Sequence, residues 1–104
     1  PLSSGEKQLL SIARAFACDP EIIIFDEATS YVDSHSEQKI HEAMNKLMQN
    51  RTSILIAHRL STLKKCDNII VLKNGDIIEQ GTHEYLMGLE KEYYSLVVNE
   101  KAGE

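Results

Sequence analysis

Apolar positions along the chain fall into two kinds of pattern. Some recur every three to four residues, and others form short unbroken runs. Ser3-x-x-Glu6 reads as a capping box, after which Leu9, Ile12, Ala13, Phe16 and Ala17 lie at helical spacing. That helix should end near Asp19-Pro20, because the residue before a proline disfavours helical backbone. Glu21–Phe25 is continuously apolar after its first residue and predicts a strand buried on both faces. A second box, Ser34-x-x-Glu37, opens a helix with an inner face of Ile40, Ala43, Met44, Leu47 and Met48. Ser53–Ala57 predicts another buried strand, and a short helix around Leu60–Lys65 leads to a third at Asn68–Lys73. Asn74-Gly75 is a two-residue type I′ hairpin signal, so the chain should turn back through Asp76–Gln80. Gly81 should break that strand, and two short helices, about Thr82–Leu89 and Lys91–Asn99, should come after it.

Helices alternating with strands imply an α/β protein: a parallel sheet with flanking helices and a C-terminal β-hairpin. At 104 residues the chain amounts to at most one small domain with a modest core. Its longest apolar runs, Ile22–Phe25 and Ile69–Leu72, fall far short of the roughly 20 residues that span a bilayer. The net charge of -5 argues against a nucleic-acid surface. Cys18 and Cys66 make neither a metal spacing nor a disulfide framework, which favours a reduced, intracellular setting. The chain begins Pro-Leu-Ser without a methionine and reads as cut from a longer protein.

Ligands of open α/β sheets bind beyond the carboxyl ends of the strands. Asp26-Glu27 stands after the first predicted strand and His58 after the second. One carboxylate there can hold magnesium, largely through water, while its neighbour orients and deprotonates an attacking water. A histidine in reach can bond a terminal phosphate. An acidic pair after a strand also serves as a helix cap or a solvated turn, and the pair alone does not choose. His35, His41 and His83 have no partner at metal spacing and read as surface residues. Lys64-Lys65 reads as a solvated helix end. Tyr85, Tyr93 and Tyr94 should pack the C-terminal helices.

Four segments together resemble the ATP-binding-cassette (ABC) family in its exporter type: LSSGEKQ at 2–8 its signature motif, IIIFDEAT at 22–29 its Walker B strand, SYVD at 30–33 its D-loop, and IAHRLST at 56–62 its switch-histidine loop. They stand in the family's order, and KNGDIIEQGTHEYLM is similar to the region after the switch histidine in exporters. The resemblance implies that residues 1–104 form the C-terminal part of one nucleotide-binding domain, a partial P-loop NTPase (RecA-like) fold. The implied cofactors are ATP and Mg2+. Asp26 would hold the magnesium shell, Glu27 would be the general base, and His58 would contact the γ-phosphate. Ser3, Ser4, Gly5 and Glu6 would face the nucleotide of a partner domain, and Asp33 would couple the two halves. A hydroxyl and a glycine amide at a helix N-terminus suit that anion, helped by the helix dipole. The partners implied are a second nucleotide-binding domain, identical or not, and a transmembrane domain in the same chain. The location implied is the cytoplasmic face of a membrane.

This sequence departs from the family at Ser4, where glycine is usual, and at Glu6, where glutamine is usual. Ser4 adds a side chain where backbone meets phosphate, and Glu6 adds a negative charge beside an anion. Tyr31 and Val32 replace a small residue and leucine in the D-loop. No G-x-x-x-x-G-K-[ST] loop occurs. Phosphoryl transfer rests on positioning and charge stabilisation, so the 104 residues alone should not hydrolyse ATP. In the family, the strand feeding that loop lies between those at 53–57 and 68–73. Two alternatives stay within the resemblance, a chromosome-maintenance or DNA-repair ATPase and a non-catalytic partner cassette. The short polar tail and IAHRLST speak against the first, and Glu27 with His58 against the second.

Overall fold

The structure, a computed structural model, describes residues 1–26, 34–57 and 59–102, with Ser34 and Ala102 described through their backbone. It divides into two compact units, Pro1–Ile56 and Ala57–Glu104.

In the first unit α1 (Ser4–Cys18) starts at the expected box, with Ser3 as N-cap. It stops at Asp19, which takes left-handed backbone (φ 47°) immediately before Pro20 and donates its N–H to the carbonyls of Ala15 and Phe16. β1 (Ile22–Asp26) pairs in parallel with β2 (Thr52–Ile56), and α2 (Ser34–Met48) lies between them in sequence. Ile12 of α1, Ile23 of β1 and Ile40, Met44 and Leu47 of α2 form one buried cluster. Ala43 and Met48 pack against it, so the inner face of α2 is the one its spacing predicts. Whether Ser34-x-x-Glu37 caps α2 rests on the Ser34 side chain, which lies outside the described residues.

The strands are not buried on both faces as their composition predicts. Ile23 is buried and Phe25 and Leu55 are partly so, but Ile22 and Ile24 are 62% and 65% exposed, and Ile54 and Ile56 are also exposed. Alternate strand residues point to opposite faces. α1 and α2 cover only the face that carries Ile23.

In the second unit β3 (Ile69–Lys73) and β4 (Asp76–Gly81) form the expected antiparallel hairpin, with a bulge between Val71 and Leu72. Asn74 and Gly75 both have positive φ (52° and 83°), as a type I′ turn requires. β1–β2 form a small parallel sheet and β3–β4 an antiparallel two-stranded sheet, so both parts of the expected α/β architecture are present. The helix expected at 60–65 is a four-residue 3-10 turn, Leu60–Leu63. Its first N–H is tied down by the Glu100 carboxylate, which accepts from Leu60 at 2.9 and 3.2 Å.

Gly81 ends β4 at φ 156°, and a Cβ there would stand 2.6 Å from the Tyr85 ring. α3 (His83–Leu89) comes next, capped by Thr82, whose hydroxyl accepts from the Tyr85 N–H. α4 (Glu92–Ala102) is the last element. Ile69, Val71, Leu86, Tyr93 and Val97 form the core, with Tyr93 only 1% exposed. Two rings depart from expectation. His83, which reads as a surface residue, is partly buried, its Nδ1 2.8 Å from the Tyr93 hydroxyl and its ring edge-on to that tyrosine. Tyr85, expected to pack, is mostly exposed.

Candidate functional site

The residues read as phosphate-facing are grouped at the start of α1. The Ser3 hydroxyl accepts from the Glu6 N–H at 3.2 Å, and the Ser3 N–H donates back to Glu6 Oε1 at the same distance. The Ser3 carbonyl accepts from Lys7, so the first turn is closed on three sides. Ser3, Ser4 and Glu6 are exposed, whereas Gly5 is buried. The Ser3 N–H and then its hydroxyl hold the Glu6 carboxyl below the usual range. A carboxylate therefore already sits where the helix dipole and free amides would draw an anion. Binding a phosphate there would require Glu6 to turn away.

Asp26 sits elsewhere, as the last residue of β1, exposed and in register with Ile56 of β2. The two carboxyl ends therefore stand side by side. In sequence Glu27 comes one residue after Asp26, and His58 two after Ile56. Glu27, Asp33 and His58 themselves lie outside the described residues. Among the described residues no group of three His, Cys, Asp or Glu side chains could cage a metal. A single strand-end carboxylate fits magnesium, which keeps several waters and takes one or two protein oxygens. The cleft lined by Asp19, Pro20, Arg51 and Thr52 is at the opposite, amino ends of the same strands.

A family model described as "ABC transporter" matches residues 1–30, which include α1 and the whole of β1. Over 95 residues (91% of the chain) the sequence is 53% identical to a Bacillus subtilis protein named "Probable multidrug resistance ABC transporter ATP-binding/permease protein YheH". It is 53% identical over the same length to an "ATP-dependent lipid A-core flippase" of Desulfotalea psychrophila. The fold matches the structure of a bacterial Atm1-family ABC exporter with ATP bound, at TM-score 0.81, 42% identity and 95% coverage of this chain. The chain is thus similar to ABC exporters over more than nine-tenths of its length.

The chain covers 14% and 17% of those two relatives and 17% of the exporter chain. No helix among its described residues is long and apolar enough to cross a membrane. Several features of the chain escape a sequence reading, most of them because they join residues far apart in the chain. Arg51 bonds Asp19, Pro20 and Leu47. Glu79 is buried on β4 with its Oε2 accepting from the Tyr93 N–H. A glutamate placed between Ile78 and Gln80 carries no local sign of that partner. Cys66 is half-buried, and burial, with Asp67 nearby, pushes its thiol up, away from reactive thiolate chemistry.

Proposed function

We propose that this segment contributes to two ATP sites of a dimeric ABC exporter: the water-activating side of one site and the signature helix of the other. The observation that carries the reading is the paired carboxyl ends of β1 and β2, with Asp26 at one and Ile56 at the other. In that arrangement Asp26 would hold the Mg2+ shell, and the ion when bound would supply positive charge to the phosphoryl group. Glu27 takes the proton of the attacking water. His58 bonds the γ-phosphate and helps orient that water. Ser3 and Gly5, with the neighbouring Ser4 and Glu6, meet the nucleotide held by the partner domain, and Asp33 couples the two sites.

The name of the Bacillus subtilis relative, which joins ATP-binding and permease parts, supports a transmembrane domain in the same chain and, with it, a place at the cytoplasmic face of a membrane. The 104 residues alone carry no phosphate-gripping loop and should not turn over ATP. The test is Glu27→Gln in the full-length protein. ATP binding should persist while turnover falls by about 10²–10⁴, the usual contribution of a general base. Turnover within twofold of the parent would remove Glu27 from that role.

A further inference from the structure

Three chain segments converge on the guanidinium of Arg51. Its Nη2 donates to Asp19 Oδ1 at 2.6 Å, its Nε to the Pro20 carbonyl at 3.0 Å, and its Nη1 to the Leu47 carbonyl at 2.8 Å. The group also lies over the Phe16 ring, 5.8 Å from its centroid. Asp19 is the C-cap of α1, Pro20 starts the turn into β1, and Leu47 belongs to the last turn of α2. Arg51 itself immediately precedes β2, whose first residue donates to the Glu21 carbonyl at 3.0 Å. Asn50, with φ 61°, turns the chain between α2 and Arg51.

The Arg51 side chain is only 16% exposed, and three donors of its rigid fork are engaged in three different directions. A lysine has one ammonium on a flexible stem and cannot reproduce that pattern.

We propose that Arg51 is a positioning residue: it fixes the axis of α1 against β1 and β2, and so sets where Ser3 stands for the partner's nucleotide. This rests on the function proposed above. Ile12 anchors the middle of α1 in the core, and the Arg51 clamp anchors its C-terminal end. Two anchor points define an axis. At 1.5 Å per residue the 15-residue helix is about 22 Å long, so a tilt of ~3° displaces one end against the other by ~1 Å. Displacements of that size are enough to spoil a phosphate contact.

The test uses the full-length protein and four forms: parent, Arg51→Lys, Ser3→Ala and the double variant. ATPase rate is measured against ATP concentration and scaled to folded protein. Arg51→Lys should raise KM for ATP at least about fivefold, the low end of typical coupling between linked sites. On a Ser3→Ala background the same change should add little, because its effect runs through Ser3. A parental KM in Arg51→Lys, or a full further increase in the double variant, overturns the proposal. If Arg51→Lys fails to fold, Asp19→Asn takes its place; it removes the ion pair and keeps the two carbonyl contacts, so a smaller KM rise is expected, and a parental KM again overturns the idea. A parent without ATPase activity would instead sink the proposed function. An active parent indifferent to Arg51 sinks only the clamp.

Discussion

Glu79→Ala should loosen α4. The helix begins at Glu92 after Lys91, a residue whose side chain cannot accept a hydrogen bond and so cannot cap the free amides. The acceptor comes instead from the sheet: Glu79 Oε2 takes the Tyr93 N–H at 3.1 Å, within the first turn, where a negative charge also suits the helix dipole. Stranding a buried amide costs about 1–3 kcal/mol. Losing a carboxylate at a helix N-terminus costs a further ~0.3–1 kcal/mol. Against this, Glu79 Oε1 is buried and finds no partner among the described residues, so deleting the side chain relieves one unmet acceptor, an offset of about 1 kcal/mol. The net is a loss of about 1–2 kcal/mol, or roughly a 5–30-fold change in the opening equilibrium. Amide hydrogen exchange over residues 92–102 reads it directly. Glu79→Ala should speed exchange by that factor, while Glu79→Gln, which keeps an acceptor, should lose much less. Unchanged exchange in Glu79→Ala would show that α4 needs no cap from β4. Equal damage from both variants would show that charge, and not the acceptor, matters.

The first turn of α1 and the exposed sheet faces give further expected outcomes. Because Ser3 holds the folded Glu6 carboxyl below its ordinary value, the capping box stabilises α1 above the ordinary carboxylate range and is lost as pH falls through the lowered value. Melts across acid pH should show this loss in the parent and not in Glu6→Gln, and identical acid profiles would contradict it. Glu6→Gln should also tighten ATP-driven engagement in the full-length protein by removing a like charge from the phosphate's path, with an unchanged ATP dependence as the contrary result. The 104-residue chain on its own should self-associate, since Ile22, Ile24, Ile54, Ile56, Ile70, Leu72 and Ile77 are all exposed on short two-stranded sheets. A monodisperse monomer in the ultracentrifuge, with strongly protected amides through 53–57 and 69–72, would refute that.

What can be read from the sequence is local. The Ser3 box, the Asn74-Gly75 turn and the inner face of α2 depend on residues within a few positions of one another, and all three are present. The burial of β1 and β2 is misread for an instructive reason. A continuous apolar run reports what covering layers the strand suits, whereas α1 and α2 supply a layer on one face only. His83 looks like a surface residue because its partner, Tyr93, is ten positions away on the next helix. Arg51 and Glu79 are hidden in the same way: one reaches back 32 positions to Asp19, the other forward 14 to Tyr93. The candidate site is legible through ordered motifs, and the structure adds that Ser3 and Glu6 already satisfy one another.

The central claim is that Ser3 serves the partner's nucleotide and not the one beside Glu27. It is tested most directly by a full-length dimer in which one protomer alone carries Ser3→Ala, with hydrolysis followed separately at each site in a single turnover. Slowed hydrolysis at the unmodified protomer's Walker B site, with the mutated protomer's own site near the parental rate, is the predicted result. Loss confined to the mutated protomer's own Walker B site would contradict it.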